Sequence, residues 1–172
     1  AETGALSIAA SLADSALDDR DSGVLETSKG TLIATMFNSF AYQIHMNAPE
    51  RLLNDTFGGE TTAMLQRWRM MDAATTQEQK EAGTGYWMQR STDGGLNWSP
   101  RYRVPGYSPH GPVNLLDGRL FYATSNGKSA IAHVSEDDGL TWKALSAMPV
   151  RAGELHAVQA ADGTLIVQVR DK

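Results

Sequence analysis

The 172-residue chain contains no cysteine, which excludes a disulfide scaffold and any zinc or iron–sulfur site held by cysteine. No apolar run approaches the ~20 residues that a membrane-spanning helix requires, so we expect no membrane span. Basic residues are also few: 15 Lys and Arg stand against 20 Asp and Glu, a net formal charge of −5. Because nucleic-acid binding requires a basic face, we expect no nucleic-acid partner.

What remains is the composition of an ordinary folded domain. Apolar residues make up 41% of the chain and charged residues 20%, which separates it from disordered sequences. The length suffices for one domain with a hydrophobic core and is short for two. The chain begins with Ala1 rather than methionine, which predicts a processed or recombinant start from which any targeting peptide has been removed.

Two octapeptides in the chain match each other. They occupy residues 91–98 and 135–142, share the pattern Ser-x-Asp-x-Gly-Leu-x-Trp, and begin 44 residues apart. At average residue usage such a pattern arises at on the order of one position in 10⁵ to 10⁶, so two matches indicate an internal repeat. A period of this size with several short strands per unit is typical of a β-propeller blade.

A short glycine turn recurs between apolar segments, with Leu two residues after the glycine each time. It is found at Gly30, Gly118 and Gly163, and the last two are 45 residues apart. A tight hairpin turn needs a positive φ, which glycine supplies. Each repeat unit is therefore predicted to open with a hairpin at this turn and to close with a hairpin at the octapeptide.

The repeats predict an all-β fold in three units. We expect blade one at 20–98 with an insertion at 38–85, blade two at 107–142, and blade three from near 150. Helix-favouring residues in the insertion predict one or two short helices that end at Gly83 and Gly85. The insertion either shapes the mouth of a propeller or forms a solvated structural lobe. For the first 19 residues we predict at most an edge strand.

The residues that the two octapeptides share have a structural explanation. Asp93 and Asp137 are expected to accept hydrogen bonds from backbone N–H groups of their own turns. Trp98 and Trp142 are expected to bury their rings against the sheet. We therefore interpret these residues as holding the repeat together rather than as catalytic.

Several segments, taken in order, resemble the sialidase (neuraminidase) superfamily, and most of all the bacterial BNR-repeat, Asp-box exo-α-sialidase-like proteins. The resemblance covers residues 20–172 and implies a six-bladed β-propeller, of which about three blades, the N-terminal half, are present. The matching segments are Arg20, the Gly-turn strand 27–34, the Arg-Ser-Thr-Asp-Gly-Gly sequence at 90–95, the Pro/Gly-rich loop 108–118, the second octapeptide, and residues 154–170, which run from a Glu through an Asp-Gly-x-Leu strand to an Arg.

The resemblance also implies a binding site for sialic acid. Arg20 and Arg170 match two of the family's three arginines, and the planar guanidinium suits bidentate binding of the sugar carboxylate. Glu154 matches the catalytic Glu, which acts as a base on a Tyr nucleophile. For each Arg the alternative is a surface or inter-blade salt bridge, and for Glu154 an exposed loop carboxylate.

Other candidate residues complete this hypothetical site. His110 and His156 lie in segments expected to face the central mouth, where they would bind substrate hydroxyls, while His45 and His133 are interpreted as structural or surface residues. We expect no cofactor and no metal, since no third ligand stands at a recognisable spacing.

Two parts of the family's machinery have no clear match. None of the tyrosines (Tyr42, Tyr86, Tyr102, Tyr107 and Tyr122) lies in the context of the family's nucleophile. No Asp stands just before the first octapeptide, where the general acid is expected, and the substitutes are Glu81, Asp72 or Asp55. After Arg20, Asp21-Ser22 replaces the family's apolar residue and Pro.

Three functional hypotheses follow. The first is an exo-α-sialidase that releases terminal sialic acid from glycoconjugates. The second is a non-catalytic glycan-binding or scaffold propeller, and the third is a fragment without its own function. The expected partners are a sialylated glycan or related acidic sugar, and either a second copy or a missing half that closes the propeller. The resemblance implies a secreted or periplasmic location.

Overall fold

The computed structural model describes residue 12 and residues 15–49, 61–126, 128–150 and 153–170. Over these ranges the chain is predominantly β, with antiparallel sheets and three helices. The strands are β1 (Asp18–Arg20), β2 (Val24–Glu26), β3 (Leu32–Ser39), β4 (Gly85–Ser91), β5 (Tyr102–Arg103), β6 (Val113–Asn114), β7 (Leu120–Ser125), β8 (Ala130–Ser135), β9 (Lys143–Met148), β10 (Leu155–Gln159) and β11 (Leu165–Val169). The all-β class expected from the repeats is confirmed.

The strands form three sheets in chain order. In the first sheet β1 and β2 pair in succession with one edge of β3, which is followed by β4 and β5. The second sheet has the order β6-β7-β8-β9, and the third is the β10–β11 hairpin. Every pair is antiparallel, and apart from β1, which pairs with β3, neighbours in a sheet are neighbours along the chain. The first two sheets therefore share one topology, with β1 and β2 together in the place of β6.

The three glycine turns occupy equivalent places in the three sheets. Gly30, Gly118 and Gly163 join β2 to β3, β6 to β7 and β10 to β11, with φ values of 80°, 84° and 89°. The predicted hairpins are confirmed, and each turn has the positive φ that glycine adopts without a steric penalty.

The octapeptides form equivalent turns too, between β4 and β5 and between β8 and β9. Asp93 Oδ1 accepts from the backbone N–H of Asn97 at 2.9 Å, and Asp137 Oδ1 accepts from that of Thr141 at 2.8 Å. In both turns the serine hydroxyl donates to the same Asp at 2.8 Å. This hydrogen bonding is the structural role predicted for the two aspartates.

The sheets stack face to face, with β7 at the centre. Its six residues are all buried, because alternate side chains point to opposite faces of a strand. Leu120 and Tyr122 pack towards the first sheet, in a cluster with Ile33, Met88 and Val104. Phe121 and Ala123 pack towards the hairpin, where the cluster includes Leu155 and Ala157. The second sheet is thus covered on one face by the first sheet and on the other by the hairpin.

A helical insertion separates β3 from β4. It contains α1 (Ala41–Asn47), α2 (Thr61–Ala74) and α3 (Gln77–Gly83); the two predicted helices are confirmed, whereas α1 was not predicted. A capping box between Thr76 and Gln79 fixes the start of α3. Asp72 ties the helices together, since it accepts from Lys80 Nζ and from the Tyr42 hydroxyl, both at 2.7 Å. No helix among the described residues is long and apolar enough to cross a membrane.

Candidate functional site

A concave pocket of about 690 Å³ lies where the three sheets meet, next to the helical insertion. It brings Arg20, Glu154 and Arg170 together, although Arg20 and Arg170 are 150 positions apart in the chain. Three of the five site residues predicted from sequence therefore line one pocket. The other described residues that line it are Asp21, Phe37, Asn38, Ser39, Thr84, Gly85, Tyr86, Tyr107, Pro109, Ser125 and Gly153.

Arg20 enters the pocket from the last position of edge strand β1. Its Nε donates to Asp18 Oδ2 at 2.6 Å, two residues back on the same strand face. Both side chains are partly exposed, so the pair contributes little to stability. Its effect is on orientation, because the bond fixes the guanidinium at Nε and uses only one of its five N–H donors.

Glu154 and Arg170 flank the open end of the β10–β11 hairpin. The Arg170 N–H donates to the Glu154 carbonyl at 2.9 Å, and the Gly153 N–H donates to the Arg170 carbonyl at 3.0 Å. Their side chains form an ion pair with Nη1 and Oε1 2.6 Å apart. The hairpin register thus places a carboxylate and a guanidinium side by side at the pocket, and the ion-pair alternative considered for Arg170 is present as well.

Aromatic rings pack together on one side of the pocket. Phe37 lies 4.5 Å from Tyr107 between ring centroids, and Tyr86 stacks on Tyr107 at 6.1 Å. The Tyr107 hydroxyl donates to the Asp21 carbonyl. Burial, followed by the charge of the Asp21 carboxylate, raises the pKa of Tyr107, and Glu154 adds to the shift. Tyr107 therefore stays protonated near neutral pH and supplies a hydroxyl and an aromatic face rather than a phenolate.

The backbone beside Arg20 is held by close packing between two glycines. Gly23 lies between β1 and β2, and a Cβ on it would meet the Gly111 nitrogen at 2.5 Å, so no larger residue fits. The preceding Asp21 has a φ of 43°, an uncommon conformation for a residue with a side chain. This contact draws the Arg20–Asp21 segment against the loop that carries Tyr107 and Pro109.

Asn38 is the most deeply buried polar side chain in the pocket wall, with 3% of its surface exposed. Its Nδ2 donates to the Asp19 carboxylate. Its Oδ1 has no hydrogen-bond partner among the described residues. A buried acceptor without a partner is uncommon in folded proteins.

His110 and His156 are exposed and lie against each other, with ring centroids 5.3 Å apart in an edge-to-face arrangement. Neither is among the described residues that line the pocket. Pro109, next to His110, and Glu154, two residues before His156, do line it. The histidine pair therefore lies beside the pocket. In the part of the chain that the structure describes, no three His, Asp or Glu side chains are grouped closely enough to hold a metal ion.

The substitutes considered for a general acid lie elsewhere. Asp72 belongs to the helical insertion, where the hydrogen bonds from Lys80 and then Tyr42 hold its pKa below the usual range. Glu81 accepts from Gln77 at 2.8 Å on the exposed face of α3. Asp55 falls outside the described residues. The carboxylates that do line the pocket are Asp21 and Glu154.

Sequence reasoning missed several residues of the pocket, among them Asp21 as a lining residue, Phe37, Asn38 and Tyr107. The one available signal was the Pro/Gly-rich composition of the loop near Tyr107. No residue of either octapeptide turn is among the described residues lining the pocket. This separation agrees with the structural interpretation of Asp93 and Asp137.

No protein-family model and no curated protein matches the chain. Among solved structures, the fold is similar to the crystal structure of a protein of unknown function from Dyadobacter fermentans DSM 18053, with a TM-score of 0.59 and 18% sequence identity. The similarity covers 88% of this chain and 43% of that one, so the chain spans less than half of its neighbour's length. At this identity the likeness concerns the fold alone.

Proposed function

We propose that the chain carries part of the active site of an exo-α-sialidase-type glycoside hydrolase, which releases a terminal acidic sugar from glycoconjugates. One observation carries the proposal: Arg20, Glu154 and Arg170, chosen because their segments resemble the sialidase family, line a single pocket. A pocket of about 690 Å³ lies within the range of small-molecule sites.

The chemistry of the pocket suits an acidic sugar. Arg20 and Arg170 are permanently charged, planar donors for a carboxylate. The rings of Phe37, Tyr86 and Tyr107 offer an apolar surface to the C–H groups of a sugar ring.

In this proposal Glu154 is the base that makes a Tyr nucleophilic, and a glycosyl–enzyme intermediate is then hydrolysed. On substrate binding, the Arg170 guanidinium would leave the Glu154 carboxylate and pair with the sugar carboxylate. The Glu154 carboxylate would then be free to accept a proton. Tyr107 does not suit the nucleophile, because its burial favours the protonated phenol.

A second candidate function is binding of acidic glycans without turnover. It is favoured by the protonated state of Tyr107 and by the ion pair that occupies Glu154. Both observations describe a pocket in which neither Tyr107 nor Glu154 is poised for nucleophilic catalysis.

We also propose that the three sheets are successive blades of a six-bladed propeller. Support comes from the shared strand order, the equivalent turns and the face-to-face stacking. The outer face of the hairpin would then be covered by a further blade or by a second copy. A secreted or periplasmic location belongs to the same proposal.

The test compares hydrolysis of 4-methylumbelliferyl α-sialoside with calorimetric binding of N-acetylneuraminic acid. Arg20→Ala and Arg170→Ala should each weaken binding at least ten-fold, because each removes a charged donor. Arg119→Ala is the matched control, since Arg119 is also an exposed, ion-paired arginine but lies outside the pocket.

Three results are distinguishable. Turnover that Glu154→Gln abolishes, with binding retained, supports the hydrolase. Binding without turnover in the unaltered chain supports the second candidate. Absence of both, or equal effects of Arg119→Ala and Arg170→Ala, overturns the proposed function.

A further inference from the structure

Two exposed histidines from different parts of the fold meet beside the pocket at the junction of the three sheets. His110 lies in the loop that precedes β6, and His156 is the second residue of β10. Their ring centroids are 5.3 Å apart, with an angle of 65° between the ring planes. Apart from this contact, neither ring has a hydrogen bond or an ion pair among the described residues. The ring nitrogens are therefore open to a ligand.

The backbone that carries the two rings is held in place. The buried Ser108 hydroxyl donates to the Leu155 carbonyl and accepts from the Leu155 N–H at 3.0 Å. On the other side of His110, Gly23 lies so close that a Cβ on it would meet the His110 carbonyl carbon at 2.7 Å. His156 follows Leu155 directly in β10. Both histidines thus extend from backbone that has little freedom to separate.

The separation of the two rings fits shared coordination of one metal ion. Imidazole nitrogens bind Zn²⁺ at about 2.0–2.1 Å, and at a tetrahedral angle two rings on one ion have their centroids about 5 Å apart. The 5.3 Å between His110 and His156 agrees with this spacing. Because both side chains are exposed, each ring can turn about χ2 to direct a nitrogen at the ion without disturbing the core.

The chemistry of the pair selects the kind of ion. Imidazole suits Zn²⁺, Cu²⁺ and Ni²⁺, whereas Mg²⁺ and Ca²⁺ prefer oxygen ligands. The sequence predicted no metal because no third ligand stands at a recognisable spacing, and the described His, Asp and Glu side chains do not supply one. An ion held by two histidines fills its remaining positions with water, at the expense of affinity.

We propose that His110 and His156 together bind one divalent transition-metal ion, with Zn²⁺ as the reference case. The ion would link the loop that carries Pro109 to the hairpin whose open end carries Glu154, and both of these residues line the pocket. It would thus fasten two walls of the pocket to each other. The inference does not depend on the proposed function, because it uses the histidine pair alone.

The test is calorimetric titration of the chain, without a histidine tag, with ZnCl₂. We expect one Zn²⁺ per chain, and His110→Ala and His156→Ala should each weaken binding at least ten-fold, because each leaves a single ligand. The double variant should lose little more than either single variant, since the two rings act as a unit. His45→Ala is the matched control, because His45 is a partly exposed histidine in α1, and it should leave the affinity unchanged.

Thermal unfolding gives a second readout. An ion that binds only the folded chain raises its Tm. Zn²⁺ should therefore raise the Tm of the unaltered chain by a few degrees and leave the Tm of His110→Ala and His156→Ala unchanged. Mg²⁺ should raise none of them, which separates an imidazole site from a carboxylate site.

Absence of Zn²⁺ binding by the unaltered chain overturns the inference. A single variant of the pair that keeps full affinity also overturns it, as do losses that add up in the double variant, since both results describe histidines that act separately. An equal loss in His45→Ala, or an equal rise in Tm with Mg²⁺, overturns it too. Each of these results leaves the proposed function standing.

Discussion

Arg90 Nη2 donates to Asp138 Oδ2 at 2.8 Å across the boundary between the first and second sheets. The Thr31 hydroxyl donates to the same oxygen at 2.6 Å. Both charged side chains are largely buried, with 15% and 11% of their surface exposed, and Arg90 Nε has no partner among the described residues. The second octapeptide turn is therefore attached to the first sheet through one carboxylate.

Replacing Asp138 by Asn should lower the free energy of unfolding by about 2 kcal/mol, because Arg90 loses its charged acceptor. Asn tolerates the left-handed backbone at this position, where φ is 61°, so the change isolates the charge. Urea unfolding of the two proteins measures the difference, and identical midpoints would show that the ion pair is dispensable.

The loss of stability caused by Asp138→Asn should depend on pH. Burial alone would raise the pKa of Asp138, but the hydrogen bonds from Thr31, Thr27 and Arg90 outweigh it and hold the pKa below the usual range. A lowered folded-state pKa stabilises the protein above the ordinary value of about 3.9, and the stabilisation is lost as the pH falls through the folded-state value. The difference in free energy of unfolding between the unaltered protein and Asp138→Asn should therefore narrow below about pH 4.

Gly139 is packed tightly in the same turn. A Cβ there would lie 2.5 Å from Ile33 Cδ1, and Ile33 is fully buried. Gly118 has nearly the same φ but open space around it. Gly118→Ala should cost about 1 kcal/mol from backbone strain alone, and Gly139→Ala about 1–3 kcal/mol more from overpacking. Chemical denaturation of both variants measures their losses in free energy of unfolding. Equal losses would show that the Ile33 side chain moves aside without further cost.

The first octapeptide turn should be visible in a carboxylate titration. Hydrogen bonds from the backbone N–H of Asn97, then from its side chain and from Ser91, lower the pKa of Asp93 to about 2. NMR of the carboxyl carbon should show that midpoint, with the stabilisation of the turn lost as the pH falls towards it.

Asn97→Ala removes the side-chain donor 2.7 Å from Asp93 and should raise the midpoint, while the retained backbone bond keeps it below about 3.9. Asp137 in the second turn is the internal control, and its titration midpoint should not change. A midpoint near 3.9 in the unaltered protein would show that the turn is open in solution.

The outer face of the β10–β11 hairpin carries an apolar pair. Val158 and Ile166 lie opposite each other in the register, and each is 55% exposed. Since the second sheet is covered on both of its faces, we expect this open face of the hairpin to associate with a further sheet or a second copy. Light scattering should show concentration-dependent association that Val158→Lys with Ile166→Lys abolishes.

The matched control for association is Leu145→Lys, because Leu145 is equally exposed but lies on edge strand β9. A monomer at every concentration, or an equal effect of Leu145→Lys, would contradict the expectation.

Local chemistry made the turns and two helices predictable. Gly30, Gly118 and Gly163 marked hairpins because the required positive φ is a property of single residues. Helix α1 was missed because its seven residues include Ile44 and Tyr42, which favour helix weakly. That helix is held instead by a long-range contact, the hydrogen bond from Tyr42 to Asp72.

The residues of the candidate site also fall into those that the sequence indicated and those that it did not. Arg20, Glu154 and Arg170 could be chosen because the segments around them resemble, in order, those of a known family. Asn38 and Tyr107 could not, because their position depends on how the sheets meet, above all on the close approach of Gly23 and Gly111. Contacts between sheets leave no local periodicity in the sequence.

The β3–β4 pairing has a consequence for the evolution and engineering of the molecule. The two strands pair without interruption from Leu32 opposite Ser91 to Asn38 opposite Gly85. The insertion thus leaves and re-enters the sheet at neighbouring strand positions, roughly 5 Å apart. Because closure of a longer connection adds little free energy, this segment is exchangeable. Another segment grafted between Asn38 and Gly85 should therefore leave β3 and β4 paired.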